Sequence, residues 1–451
     1  MDTIPLKDFT GVVRALEGVP VTVTRTSGEL SGTGPLYEWM REHRPVWYRG
    51  TYGGYWVVSR YNDACDVLRD TETFSSAHSI LVPPEQGTPN LVALIGSDPP
   101  VHTRMRKTLA SYAAPRAVMH FSRIIEELAA QYIDSVAAVG GGDLVTDLIA
   151  PLHGRILARF IGVPEEDWHV FRERKERVVD ARLAGWAGTG QRQVDPSPAP
   201  ACPVAHAAAP ASPPRSQPGP DGGGDAVEAI RSYIAGLFER RRNADDAERY
   251  DLAAVLLRAR ESGELTIGEC ADIVYTMFIA GNDTVVHGLS RAAYLLHRVP
   301  AIGNAVRDAE SWRQLSPLVD EILRVQSPVE GLARVALKDT AISGTEIAAG
   351  DRVLVLFAAA NRDPARFPEP EVINPDRAPN PQLGYGFGRH RCVGAPLAHL
   401  EMQIVIWQLY HRLGEYEMDE AAVTIDPGSS GWGVANLPVR LRPAGRVVSR
   451  R

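Results

Sequence analysis

Along most of the chain apolar residues recur at three- and four-residue intervals, the spacing that gives an α-helix one apolar stripe to bury. The pattern is clear from His120 to Ala137 and from Leu152 to Phe160. A charged helical pattern covers Pro164 to Arg182, and an amphipathic one begins at Asp225 and continues through Ile234, Leu237 and Phe238. Strand-like runs are few and short. They are Tyr55 to Ser59, with a helix from about Asn62 to Arg69 behind it, and later Arg334 to Leu337 and Val353 to Phe357. The longest apolar run, Val353 to Ala360, reads as a core strand and falls far short of the ~20 residues a membrane helix needs. No internal repeat is present. The pattern predicts a mainly α protein with a minor β component.

Composition narrows the function classes. A length of 451 residues admits one large domain or several, while a net charge of -7 argues against nucleic acid as the main partner. Four cysteines, Cys65, Cys202, Cys270 and Cys392, lie far apart with no C-x-x-C pair, which speaks against a disulfide scaffold or zinc finger and for a reducing, cytoplasmic setting. Met1 to Pro20 carries Asp2, Lys7, Asp8, Arg14 and Glu17 and lacks the apolar block of a secretory signal, so no export and no membrane anchor are expected. Between Gly185 and Gly224 stand nine Pro and seven Gly, a composition that cannot bury enough apolar surface to offset its ordering entropy. The stretch reads as an insert joining two helices, either a solvated loop or a lid.

The strongest chemical signal is Gly384-Tyr385-Gly386-Phe387-Gly388-Arg389-His390-Arg391-Cys392-Val393-Gly394-Ala395-Pro396-Leu397-Ala398. Gly386 and Gly388 let the backbone turn and approach a flat ligand. Cys392 precedes a helix start, where amides and the positive dipole end are expected to lower a thiol pKa. A lone cysteine is usually a small buried hydrophobe. The flanking glycines and the cationic neighbours point instead to a metal-binding thiolate beside an anionic cofactor, and thiolate ligation of haem iron uses all of these features.

This run closely resembles the haem-binding signature of the cytochrome P450 family, with bacterial soluble members as the nearest match. Tyr385 stands where the family usually has Phe, and His399 where Arg often follows Leu-Ala. The resemblance extends from about Leu36 to Leu441 and implies one cytochrome P450 domain over residues 1–451, interrupted by the insert at about 185–224. It implies haem b held by Cys392, with Gly386 and Gly394 in the cysteine loop. Three further motifs take roles from it. Ala280-Gly281-Asn282-Asp283-Thr284 lies in the middle of a helix expected from Thr266 to about Arg298, where Thr284 can bond back to a preceding carbonyl and open the helix locally. By resemblance, Ala280 and Gly281 border the oxygen site, and Asp283 and Thr284 relay protons to it so that the O–O bond can break. Glu321 and Arg324, which by spacing alone would be surface neighbours on a helix, become with Arg377 a buried structural triad. His102 and Arg106, four apart and so on one helix face, join Arg334 and His390 as partners of the haem propionates. Arg104, Lys107 and Arg116 would remain outward, a basic patch for an acidic electron donor.

The function expected from this resemblance is a monooxygenase that hydroxylates or epoxidises a lipophilic or aromatic small molecule, in secondary metabolism. No nucleotide-binding glycine motif opens a βαβ unit, so a ferredoxin and its reductase are the expected electron source. Pocket walls are expected from His78 to Ile95, Ala280, Val329 to Leu332 and Trp432 to Val434. The alternatives are oxidative coupling or ring formation, a non-catalytic haem sensor or carrier, and a protein without haem in which Cys392 is structural.

Overall fold

The computed structural model describes residues 3–4, 23–24, 33–78, 80–82, 93–167, 222–242, 250–413, 416–426 and 431–441. The part of the insert from 185 to 221, Cys202, the charged pattern beyond residue 167 and much of the 78–95 wall lie outside the described residues.

Helices form where the three-four periodicity predicts them. They are α1 (Gly34–His43), α2 (Tyr61–Arg69), α3 (Val101–Ala110), α4 (Ser122–Ala138), α5 (Ala150–Ile161), α6 (Gly222–Arg242), α7 (Leu252–Glu261), α8 (Ile267–Ala280), α9 (Asp283–Arg298), α10 (Pro300–Asp308), α11 (Ser316–Val325) and α12 (Ala395–Gln408). Prolines near the starts of α5, α10, α11 and α12 fit the first turn, where a missing N–H costs nothing. At the head of α8, Thr266 Oγ1 accepts from the Glu269 amide and the Glu269 carboxylate accepts from the Thr266 amide at 2.8 Å, the expected capping box. The insert boundary needs correction, because Gly222–Gly224 already belong to α6.

Five strands make the main sheet: β1 (Val46–Arg49), β2 (Tyr55–Val58), β3 (Phe74–Ser75), β4 (Leu332–Ala336) and β5 (Arg352–Val355). Their order is β1-β2-β5-β4-β3, with β2 and β5 parallel and the other pairs antiparallel. The apolar run from Val353 to Ala360 is therefore a strand only as far as Val355; Phe357–Ala360 form a helical turn. Val355 is paired with Val58, the last residue of β2, and past that point the buried chain keeps its backbone groups bonded by turning helical.

The largest core cluster joins α4, α5, α8, α9 and α12, whose apolar stripes face one another. α12 packs on α4 and α9, so the helix that follows Cys392 lies beside the helix that begins with Asp283 and Thr284. A smaller core sits between α2, the sheet and the Leu383 region.

Candidate active site

The chain enters the cysteine loop through two glycines at φ +70°, Gly386 and Gly388, a backbone shape that L side chains resist. At Gly388 a Cβ would also stand 2.8 Å from the Leu68 carbonyl in α2, so glycine there permits close docking of the loop. The Cys392 amide donates to the Tyr385 carbonyl at 2.8 Å, closing the loop just before α12.

Cys392 is exposed as a residue, while its sulfur faces the backbone amides of Gly394 and Ala395. The balance of desolvation and charge at this position corrects the expected thiol chemistry. Desolvation raises the Cys392 pKa above its ordinary value, and the Gly394 and Ala395 amides together with the Arg106 and Arg391 charges pull it down only in part. The helix-start amides are present as expected, but desolvation of an isolated thiolate outweighs them.

Around the cysteine loop four cationic or potentially cationic side chains converge, all predicted from the sequence. His102 is buried, and neither ring nitrogen has a hydrogen-bond partner. Its ring lies 4.2 Å from that of His390, whose Nδ1 is also unpartnered while its Nε2 meets Ser76 Oγ at 3.3 Å. Burial, followed by the charges of Arg334 and His102, pushes the His390 pKa down to about 3. Arg334 is buried in β4, its pKa lowered to about 10 by desolvation. Arg106, one turn beyond His102 on α3, is lowered by desolvation, opposed by the attraction of Cys392. Asp98 is the acid acting on His102, His390 and Arg334, but its carboxylate also serves the Ser75 hydroxyl and the Ser76 amide. Buried donors without acceptors, gathered around a cysteine, are what a carboxylate-bearing ligand of the haem type requires. The residues fit that group.

Behind the loop, Glu321 and Arg324 are both wholly buried, and Arg324 donates through Nε and Nη2 to the two Glu321 oxygens at 2.8 Å. Arg377 Nε reaches both oxygens at 3.1 Å, and the Asn374 amide and Asn380 side chain complete the carboxylate's shell at 2.9 and 3.0 Å. Arg324 also donates to the carbonyls of Asn361, Pro370 and Val372. The predicted triad is thus assembled. It ties α11 to the 361–380 segment that leads into the cysteine loop.

The single helix expected from Thr266 to Arg298 is corrected to two. The ladder lapses after Ala280, and α9 begins anew at Asp283. Two side chains take over carbonyls at the break. Thr284 Oγ1 donates to Ala280 O at 3.0 Å, and His153 Nε2 lies 2.9 Å from Gly281 O. Asn282 Nδ2 donates to Asp283 Oδ1 at 2.6 Å. Ala280 is exposed at this opening, and Gly281, Asp283 and Thr284 are half-buried.

Other expectations also shift. Arg104 is outward as expected but pairs with Glu269 at the head of α8, and Lys107 remains exposed. Val329 and Leu332 are partly exposed, as a pocket wall requires, but Trp432 and Val434 are core residues. The Trp432 indole donates to buried Glu330 at 3.0 Å, Tyr37 donates to the same oxygen at 3.2 Å, and the Arg291 guanidinium lies 3.5 Å over the indole ring. Sequence reasoning missed this network and missed His153 with Glu401. One signal was available: Glu401 is the lone charge between Leu400 and Trp407, a run apolar apart from it and Gln403.

Comparison with known proteins agrees with this geometry. The family model described as Cytochrome P450 matches residues 222–439. The Cytochrome P450 130 of Mycobacterium tuberculosis is 32% identical over 422 residues, covering 90% of this chain and 94% of that protein. Among solved structures, CYP109E1 of Bacillus megaterium in complex with testosterone superposes with a TM-score of 0.75 at 25% identity, covering 93% of this chain and all (100%) of that one. P450BioI in complex with an acyl carrier protein carrying hexadec-9Z-enoic acid gives a TM-score of 0.74 at 25% identity, covering 90% and 97% of the two chains.

Proposed function

The chain belongs to the cytochrome P450 family, monooxygenases that hold haem b through a cysteine thiolate, and from that premise we propose that Cys392 is the ligand and a lipophilic small molecule the substrate. The observation that carries this reading is the set of unpartnered nitrogens, both of His102 and Nδ1 of His390, beside Arg334 and Arg106, next to Cys392. When bound, the haem supplies dioxygen chemistry in which one oxygen atom enters the substrate and the other, with two electrons and two protons, leaves as water.

The chain's own residues serve that chemistry in separate ways. Gly386 and Gly388 shape the loop that presents the Cys392 sulfur, and the Gly394 and Ala395 amides bond to it. His102, Arg106, Arg334 and His390 take the propionates. Glu321, Arg324 and Arg377 hold the loop from behind. Ala280 and Gly281 form the open wall, and the Thr284 hydroxyl beside it moves protons with Asp283. Val329 and Leu332 offer apolar surface to substrate. The testosterone and fatty-acyl ligands bound by the two structural neighbours are in keeping with that apolar character.

Electrons come, on this reading, from a ferredoxin and its reductase, with exposed Lys107, Arg116, Arg389 and Arg391 offering the basic docking face. The same reading treats residues 1–451 as one domain.

The test is the absorption spectrum of the reduced, carbon monoxide-bound protein. A thiolate-type Soret band that disappears in Cys392→Ala supports the assignment; a spectrum unchanged by that substitution overturns it. Turnover under labelled dioxygen then separates outcomes, because an unlabelled product would replace oxygen insertion by oxidative coupling.

A further inference from the structure

The α8–α9 break is bridged from outside by a buried pair that the proposed chemistry does not use. His153, on α5, is 2% exposed, and Glu401, on α12, is 0% exposed. His153 Nδ1 stands 3.0 and 3.1 Å from the two Glu401 oxygens, while Nε2 stands 2.9 Å from the Gly281 carbonyl. Each ring nitrogen therefore faces an acceptor. A carbonyl can only accept, so Nε2 carries hydrogen. A bare Nδ1 against an ionised carboxylate at 3.0 Å would set lone pairs against each other. The contact is satisfied only with one more proton, carried by Nδ1 or by the facing Glu401 oxygen.

We infer that His153 is a positioning residue that draws the Gly281 carbonyl sideways out of the helical ladder, with Glu401 and the shared proton fixing its ring. In an uninterrupted helix the Gly281 carbonyl would accept from the Val285 amide four residues on. A side-chain donor inserted into the ladder is a recognised cause of a sharp break. Gly281 suits the arrangement for a second reason. A Cβ there would meet the Met277 carbonyl at 2.5 Å and Leu157 Cδ1 at 3.5 Å, and Leu157 is one turn from His153 on the same face of α5. With the Gly281 carbonyl held laterally, α9 restarts at Asp283, and Thr284 lies one turn from the Ala280 carbonyl it bonds. Glu401 belongs to the helix that follows Cys392, so the clamp locks the cysteine helix to the residues read as the proton relay. The functional consequence rests on that relay reading; the clamp itself does not.

The test uses holoprotein and two double variants. His153→Leu with Glu401→Leu removes donor, carboxylate and shared proton together, leaving no stranded charge. His153→Gln with Glu401→Gln replaces them by neutral amides, one donating to Gly281 and the other donating to the first. Hydrogen exchange of the 281–286 segment is read by mass spectrometry, alongside peroxide released per electron consumed. In the leucine pair the freed carbonyl returns to the Val285 amide, so exchange in this segment slows about tenfold, and peroxide release rises. The glutamine pair keeps the parent's values. Parent-like exchange in the leucine pair overturns the clamp whatever the peroxide result. Slower exchange with unchanged peroxide release upholds the clamp and refutes the relay reading. If the leucine pair does not accumulate as haem protein, His153→Asn with Glu401→Gln, whose shorter amide does not span to Gly281, decides by the same exchange measurement.

Discussion

Replacing Arg324 by Met removes a guanidinium that solvent does not reach, while keeping a side chain of similar length. Breaking a buried ion pair from one side costs about 3–5 kcal/mol, because the other charge stays buried. Glu321 keeps Arg377 at 3.1 Å, the Asn374 amide at 2.9 Å and Asn380 at 3.0 Å, which places its share at the low end. The carbonyls of Asn361 and Pro370 lose their donor as well, at about 1 kcal/mol each, while that of Val372 keeps Arg377 at 3.1 Å. Allowing for partial relaxation, the expected loss is about 5 kcal/mol, comparable with the whole stability of a marginal domain at about 5–15 kcal/mol. Arg377→Met is the matched control. Its side chain is 9% exposed and its carbonyl partners at Pro368, Glu369 and Val372 are bonded in an exposed setting that water can enter. There the expected loss is about 2 kcal/mol. Urea denaturation followed by tryptophan fluorescence measures both, and the carbon monoxide spectrum shows whether the cysteine loop still holds haem. A loss below about 1 kcal/mol for Arg324→Met, or one smaller than that of Arg377→Met, would refute the buried-triad reasoning.

Other substitutions test separate links. Tyr385→Phe deletes a buried hydroxyl that has no partner, so it should raise stability by about 1 kcal/mol in the same denaturation assay; a loss would show that the hydroxyl is bonded in solution. Gly388→Ala forces a side chain into a left-handed backbone at a cost of about 1–2 kcal/mol, and its Cβ meets the Leu68 carbonyl; lower haem content at unchanged expression is the expected readout. His102→Leu removes a buried imidazole donor that has no partner within the protein, and haem transfer to apomyoglobin should show about tenfold weaker retention, the equivalent of one charge-assisted hydrogen bond. Thr284→Ala leaves the Ala280 carbonyl without its side-chain donor and should raise peroxide release per electron while the carbon monoxide spectrum stays that of the parent; unchanged release would remove Thr284 from the relay.

The sequence by itself determined the fold class, the helix start at Thr266 and the glycine-rich cysteine loop, because these rest on local periodicity, capping chemistry and residue type, while His102, Arg106, Arg334 and His390 were named only through the family resemblance that the loop carries. It also contained the Glu321, Arg324 and Arg377 set, although by spacing alone that pair would be an exposed surface contact; only burial under the 361–380 segment makes it structural. Other outcomes were decided by residues far apart in the chain. The run from Val353 stops being a strand where β2 gives out as its partner. The Cys392 thiol is raised because the surrounding protein desolvates it more than nearby amides and arginines compensate. The helix expected from Thr266 to about Arg298, with a local opening at Thr284, is instead two helices, parted where His153, 128 positions away, bonds Gly281 and is itself held by Glu401, 248 positions from His153. Periodicity reports which face a helix buries. It does not report which side chain, arriving from another helix, will take a carbonyl out of the ladder, since that depends on the packing of α5 and α12 against the break.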